Sequence, residues 1–282
     1  MALKGLRVLI ASSGNSRAID YALSTCDYLT KKGVTVILDY ELHKLNKSCK
    51  LASYGEDYDL IIVSGGDGTI LRTFSHWKKG AYLGVNCGRV GFLTEVTPEN
   101  VVEALTKIDR NEFFYEEHIT ASVSSEVYPS VSALNDVVVS SDKLGRIITL
   151  KIEINNKHLY TLSGNGLIVS TSAGSSAYAL SAGGSLIMPD VKAFILVPVC
   201  TFLGKTFPVV ISPDSTITIT NLSKYRAPNV IVDGQLYYTL GYKESITVTR
   251  SSDIIRFIRF TDNFVDRVRS KLIKLTPDDI YG

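Results

Sequence analysis

The sequence predicts an α/β N-terminal domain with a parallel sheet, then a mostly antiparallel all-β C-terminal domain, and a closing helix that returns to the first domain. Three observations predict it. Up to about residue 110, short β-branched runs alternate with amphipathic stretches, the pattern of a parallel sheet covered by helices. From Phe113 to about Ile258, β-branched and aromatic runs are broken by Ser, Gly, Asn and Pro, as in antiparallel sheets. From Asn263 to Leu275 the period returns to that of a helix, with Phe264, Val268 and Leu272 on one face. The domains are therefore placed at 1–110 together with 260–282, and at 111–259.

The elements follow in order. Leu6–Ala11 is a short apolar run, read as a buried strand. Ser16 to Lys32 is amphipathic and stops at Gly33, a good helix C-terminal residue. Val34–Leu38 and Leu60–Val63 are further buried strands, and the latter runs straight into Gly65-Gly66-Asp67-Gly68. A helix over Thr69–Lys79, a strand over Ala81–Val85 and a helix over Pro98–Ile108, with Pro in its first turn, complete the first domain. In the second, Ile147–Ile154 and His158–Leu162 flank an Asn155-Asn156 turn, and Val209–Ile211, Ile217–Thr220, Val230–Val232 and Ser245–Thr249 read as strands. Ser175–Leu186, rich in Ala, Ser and Gly, reads as a short helix entered from a Gly/Ser loop.

Composition narrows the function. The 282 residues include 30 Lys and Arg against 28 Asp and Glu, and 45% are hydrophobic. That balance fits a folded globular chain and gives no support for bulk binding to nucleic acid or to a membrane surface. No apolar stretch approaches the roughly 20 residues of a membrane-spanning helix, and the apolar run at the N-terminus is too short and strand-like for a signal peptide. The 4 Cys are far apart in sequence with no CxxC spacing, so neither a disulfide framework nor a zinc site is expected, and a reducing cytoplasm fits best.

Four segments could carry chemistry. Gly65-Gly66-Asp67-Gly68-Thr69 lies between a buried strand and a helix, where glycines let backbone N–H groups approach phosphate and the helix dipole favours anions. An aspartate there repels phosphate. It makes sense as a general base or as a group acting with Mg²⁺; the competing reading is a tight turn with Asp67 or Thr69 as helix N-cap. Gly84–Leu93 closes the next strand with another glycine-rich loop, read as a crevice lining or as a compact turn. Asn135-Asp136 heads Val137–Val139; an amide can pair with an adenine edge and a carboxylate can accept from ribose hydroxyls, although Asn-Asp before a strand is also a common turn. Gly164–Tyr178 runs from a strand through a hydroxyl-rich loop into a helix start, a surface suited to a flat, phosphorylated ligand, with Ser175 or Ser176 as plain N-caps in the alternative. No His stands near in sequence to activate a serine nucleophile. Gly204-Lys205-Thr206 lacks the first glycine of a Walker A loop and reads as a turn.

Together these segments resemble the NAD kinase family (ATP-NAD or polyphosphate/ATP-NAD kinases). The likeness rests on GGDGTIL (Gly65–Leu71), GVNCGRVGFLTE (Gly84–Glu95), LND (Leu134–Asp136), GNGLIVSTSAGSSAYALSAGG (Gly164–Gly184), VDGQ (Val232–Gln235) and FIRFTDNFVDRVRSKL (Phe257–Leu272), in order along almost the whole chain. GGDG alone is shared with lipid kinases and phosphofructokinases; the combination is specific.

The resemblance implies phosphorylation of the adenosine-ribose 2′-hydroxyl of NAD, with ATP or polyphosphate as donor and Mg²⁺ or another divalent cation bridging donor oxygens. Asp67 would be the base, Gly65, Gly66, Gly68 and Thr69 would hold the donor phosphates, and Asn135 and Asp136 would grip the adenosine or ribose. Ser176, Ala177, Tyr178 and Ser181 would complete the dinucleotide pocket, between the two domains. Homodimers or homotetramers are expected, with a neighbouring subunit lining the pocket. Two departures stand out. Asn165 replaces the Asp of a Gly-Asp-Gly expected to bond NAD, and Thr171-Ser172-Ala173-Gly174-Ser175-Ser176 replaces Thr-Pro-Thr-Gly-Ser-Thr, so that Ala173 lacks a hydroxyl. They bear on NAD affinity and on NAD-versus-NADH preference more than on the reaction. The competing functions are a lipid or sugar kinase of the same superfamily and a non-catalytic NADP(H)-binding regulator.

Overall fold

The structure, a computed structural model, describes residues 2–88, 91–143, 145–202, 206–262 and 264–273. The chain divides into two compact units, Met1–Glu117 with Ile255–Gly282, and His118–Ile254.

The first unit contains, in order, β1 (Arg7–Ser12), α1 (Ser16–Lys31), β2 (Thr35–Leu38), α2 (Tyr40–Leu45), β3 (Lys50–Leu51), β4 (Leu60–Gly65), α3 (Asp67–His76), β5 (Ala81–Asn86) and α4 (Val101–Asp109), the last entered through a 3₁₀ turn at Pro98–Asn100. Its strands pair in parallel in the order β5-β4-β1-β2-β3, with Ile10 opposite Ile62 and Ile62 opposite Leu83. Helices cover the sheet, so β1 and β4 are near-continuous apolar runs rather than alternating ones. Val8, Ile10, Leu60, Ile62 and Leu83 pack with Ala22, Cys26 and Leu29 of α1 and Ala104, Leu105 and Ile108 of α4. The helix α1 starts because the Asn15 side chain accepts the Arg17 N–H, and Gly33, with φ of 74°, supplies the left-handed turn after it.

Two details differ from the sequence reading. Helix α3 runs from Asp67 to His76, beginning two residues before the expected Thr69 and ending three before the expected Lys79. Helix α2 was not anticipated; Asp39 caps it by accepting the N–H of Leu42, and its other oxygen accepts the Ser12 N–H.

The second unit begins within β6 (Phe114–Ser124) and continues with β7 (Val131–Ala133), β8 (Asp136–Ser140), β9 (Ile148–Ile154), β10 (Lys157–Gly164), β11 (Gly166–Thr171), a 3₁₀ turn at Ala173–Ser176, α5 (Tyr178–Ser181), β12 (Phe194–Val199), β13 (Val209–Ile211), β14 (Ile217–Asn221), β15 (Asn229–Val232), β16 (Gln235–Thr239) and β17 (Ser245–Arg259). The order β13-β12-β11-β8-β15-β16 is antiparallel throughout, and so is β10-β9-β14-β17. Strict alternation separates two faces. Val137, Val139, Leu167, Val169, Phe194 and Leu196 join Leu150, Ile152, Ile217, Ile219 and Val248 in the main core. The intervening Val138, Ile168, Ile195 and Val197 face the other way, against Ala179 of α5 and Ile187. The expected short helix over Ser175–Leu186 is thus realised as a 3₁₀ turn and one α-turn.

Strand β17 runs well past Thr249, and its last residues belong to the first unit, where Arg256 and Phe257 pair in parallel with Ala81 and Tyr82. The closing helix α6 (Phe264–Val268), followed by a π-turn at Arg269–Ile273, also belongs to the first unit. Phe264 meets the Phe92 ring at a tilt, facing inward as the sequence pattern anticipates, but the buried residue of α6 is Arg267 rather than Val268. Asn263, Leu275 and the Gly204-Lys205 pair lie outside the described residues. Among the described residues no helix is long and apolar enough to cross a membrane.

Candidate active site

In the first unit the chemistry gathers where β4 and β5 end. Gly65 closes β4 in contact with the Thr69 side chain, and Gly66 is the N-cap of α3 with no side-chain cap. Around Gly66 and Gly68 the space is open, and the Thr69 N–H turns back to the Gly66 carbonyl at 2.9 Å, closing the first turn of α3. Neither Asp67 nor Thr69 is the N-cap, so that alternative for the motif is set aside. Asp67 is the first helical residue, and its half-buried carboxylate turns to the segment after β5. Oδ2 accepts the Phe92 N–H at 2.6 Å and Oδ1 the Leu93 N–H at 3.0 Å. Gly91 makes this approach possible: a Cβ there would lie 2.7 Å from Asp67 Oδ1. A carboxylate has about four acceptor positions, so roughly two on Asp67 have no partner among the described residues.

The segment that holds Asp67 is itself held from behind. Arg259, 1% exposed, donates to the carbonyls of Leu93 (3.2 Å), Thr94 (3.4 Å) and Phe92 (3.4 Å). Its charge is met by Glu95 at 3.1 Å and Glu116 at 2.7 Å. Arg267 adds a 3.3 Å bond to the Phe92 carbonyl and a 2.8 Å ion pair with Glu116. Lys271 lies over the Phe92 ring, 5.3 Å from its centroid. Burial pushes the Lys271 ammonium down to about 8, against the opposing pull of Asp67. Arg89 and Val90, in the middle of the Gly84–Glu95 motif, lie outside the described residues.

In the second unit a different carboxylate performs a similar task. Asp233, in the left-handed region with φ of 48°, accepts the N–H groups of Leu134 (2.7 Å), Asn135 (2.7 Å) and Asp136 (3.1 Å). This fixes Asn135 and Asp136 at the start of β8. Asn135 is 8% exposed and its Oδ1 is buried without a hydrogen-bond partner among the described residues. Asp136 is buried beside Asp233, and the loss of solvation together with that neighbouring charge raises its carboxyl to about 7. Asp233 is raised by burial and lowered by its three N–H donors, so Asp136 is the member of the pair that keeps a proton near neutrality.

Three hydroxyls of the hydroxyl-rich loop are engaged within the protein. Thr171 Oγ1 donates to the Leu134 carbonyl at 2.6 Å, Ser172 Oγ to the Val191 carbonyl, and Ser175 Oγ to the Ser172 carbonyl at 2.7 Å. Gly174 packs directly on the Asn135 backbone, where any Cβ would collide with the Asn135 carbonyl. Ala173 is buried; Ser176 and Ala177 are half-buried; Tyr178 and Ser181 are exposed. Asn165 is held between β10 and β11 by its backbone, which donates to the Val199 carbonyl and accepts from Ser141, while its half-buried amide has no partner among the described residues.

The sequence-predicted residues therefore form two clusters, Gly65–Thr69 in one unit and Asn135, Asp136 and Ala173–Ser181 in the other, while Asn165 stands apart from the second cluster, at the opposite end of β11 from Asp136. Sequence reading did not single out Arg259, Glu116, Lys271 or the Phe92 and Leu93 amides, whose roles depend on long-range packing. Asp233 stood within the VDGQ motif, and its Asp-Gly pair was a turn signal that pointed to it. Among the described residues no group of three or more His, Cys, Asp and Glu is placed to hold a metal ion.

Residues 8–113 match the ATP-NAD kinase N-terminal domain and residues 134–260 the ATP-NAD kinase C-terminal domain. An NAD kinase of Methanothermobacter thermautotrophicus is 35% identical over 282 residues, covering 97% of this chain and 98% of that protein. One from Thermoplasma acidophilum is 34% identical over 259 residues, covering 92% and 94%. Among solved structures, yeast NADH kinase complexed with NADH shares the fold with a TM-score of 0.86 at 20% identity, over 98% of this chain and 89% of that one. An NAD kinase from Archaeoglobus fulgidus in complex with ATP gives 0.73 at 26% identity, over 96% and 100%.

Proposed function

The chain belongs to the ATP-NAD kinase family, and from that premise we propose that it transfers a phosphoryl group from ATP or polyphosphate to the 2′-hydroxyl of the adenosine ribose of NAD, giving NADP. The observation that carries this reading is Asp67, fixed by two backbone amides at the N-terminus of α3 with acceptor positions to spare.

In this reading the donor phosphates lie against Gly65, Gly66, Gly68 and Thr69, with Lys271 as a nearby cation. Mg²⁺ or another divalent ion enters as part of the donor complex and neutralises charge on its oxygens. Asp67 accepts the proton as the ribose oxygen bonds to the terminal phosphorus and the bond to the leaving phosphate breaks. Because the carboxylate is already oriented, little reorganisation accompanies the transfer. On the NAD side, the unpaired Asn135 Oδ1 suits an amino donor such as that of adenine, and Asp136 suits a ribose hydroxyl. Asn165, Ala173, Ser176, Ala177, Tyr178 and Ser181 line the rest of the dinucleotide. Assembly into a homodimer or homotetramer is part of the proposal and is read by light scattering.

The test is incubation of purified protein with Mg²⁺, NAD and either ATP or polyphosphate, with NADP read by an NADP-specific dehydrogenase. NADP formation supports the reading. Tight NADP binding without turnover on either donor favours a regulator instead, and phosphorylation of a lipid or sugar favours another kinase of the superfamily.

A further inference from the structure

Four cysteines that are far apart in sequence are not all far apart in space. Cys26 lies on the buried face of α1, and Cys49 on the turn that leads from α2 into β3. Their sulfurs are 3.4 Å apart, and both thiols are free. Cys26 is 1% exposed, whereas Cys49 is half-buried and open to a small reagent. A disulfide needs the sulfurs about 1.4 Å closer than this, at roughly 2.05 Å, a movement that the turn at residues 46–49 can absorb.

We propose that Cys26 and Cys49 are a thiol-oxidation site, closing reversibly into an intramolecular disulfide by exchange with a low-molecular-weight disulfide. The Cys49 thiolate attacks one sulfur of the small disulfide, whose S–S bond breaks and releases one thiolate. Cys26 then loses its proton and attacks the Cys49 sulfur of the mixed disulfide, expelling the second small thiolate. The protein loses two hydrogens and is oxidised; the small disulfide is reduced to two thiols. Burial and the Cys49 neighbour push the Cys26 thiol up to about 12, so Cys49 is the point of entry and Cys26 the resolving thiol. Neither residue touches the proposed site, and the proposal does not depend on the kinase reading.

The bond has a mechanical consequence. Strand β3 is two residues long, at the outer edge of the first unit's sheet, and pairs only through Lys50 and Leu51 with β2. Tying Cys49 to α1 anchors this edge and closes a loop across a sequence separation of 23 residues. Cross-linking a loop of that length constrains the unfolded chain enough to raise Tm by about 5–10 °C in a protein of this size.

The test treats the full-length protein with oxidised glutathione, alkylates it, digests it and maps the cysteines by mass spectrometry. A peptide pair linked through Cys26 and Cys49, reversed by dithiothreitol, is expected, with a Tm rise in the wild type that C49S lacks. In C26S, Cys49 is expected to stop at the mixed disulfide with glutathione. Recovery of Cys26 as a free thiol beside glutathionylated Cys49 in the wild type overturns the proposal. So does oxidation that instead joins chains through Cys87 or Cys200, or a Tm rise that persists in C49S.

Discussion

The carboxyl of Asp136 gives a pH dependence whose sign and size follow from its position. It is raised to about 7 from 3.8 by burial and by Asp233. Between those values the folded protein holds a proton at Asp136 that the unfolded chain has released, so unfolding free energy falls as pH rises. The contribution is flat below about pH 3.5, declines through the window and levels off above about 7.5. At about 1.4 kcal/mol per pH unit, the whole shift corresponds to roughly 4 kcal/mol, of which roughly 2–3 kcal/mol is lost between pH 5 and pH 8. Asn at this position has the shape of the protonated acid and never ionises. The Asp136→Asn protein is therefore expected to exceed the wild type by roughly 1–2 kcal/mol at pH 5 and by roughly 4 kcal/mol at pH 8, without nucleotide, so that the gap widens by roughly 2–3 kcal/mol across that range. Urea unfolding at half-unit steps from pH 5 to 8.5, with both proteins side by side, measures the difference and cancels the other titrating groups. Parallel curves across that range would refute the assignment of the proton to Asp136.

Three other outcomes can be checked alongside. Asp67→Asn removes the base and turns an amide donor toward either Phe92 or Leu93 N–H; kcat for NADP formation is expected to fall by about 10²–10⁴-fold, with little change in the KM for NAD, and near-normal turnover would take Asp67 out of the role. Arg259→Ala leaves Glu95 and Glu116 buried without their main counter-charge, a loss of about 3–5 kcal/mol in urea unfolding, whereas a change within about 0.5 kcal/mol would show that Arg267 suffices. Gly174→Ala drives a Cβ into the Asn135 carbonyl and is expected to lower stability by about 1–3 kcal/mol while raising the KM for NAD; a wild-type KM would show that Asn135 is not set by this contact.

Much of the fold was legible because period and punctuation agreed. The buried runs of β1, β4 and β5, the Asn155-Asn156 turn and the Val-rich strands of the second unit all carry their signal locally. What was missed depends on partners remote in sequence. Strand β17 continues through Ser251-Ser252-Asp253, which reads as a loop, because Ser132 and Thr120 satisfy Asp253 from another strand. The site was legible as motifs, not as geometry. GGDG identified Asp67, but nothing near it in sequence shows that residues 92 and 93 bind its carboxylate or that Arg259 supports them. The cysteine spacing hid the Cys26–Cys49 contact for the same reason.

Three aspartates each clamp two or more backbone amides, and the differences between them support the role proposed for Asp67. Asp39 accepts from Ser12 and Leu42, Asp233 from three successive amides, and Asp67 from Phe92 and Leu93. All three use a carboxylate to fix backbone amides in loops or at the ends of strands and helices. Asp39 and Asp233 are buried, and burial raises both carboxyls, so their clamps weaken if a second acceptor role is imposed. Asp67 is half-buried, stands in the first turn of α3 beside two glycines with open space, and has Lys271 nearby. It gains orientation from its clamp while retaining solvent-facing lone pairs and a cationic neighbour. A carboxylate in that setting can hold its direction and receive a proton without dismantling the loop it supports.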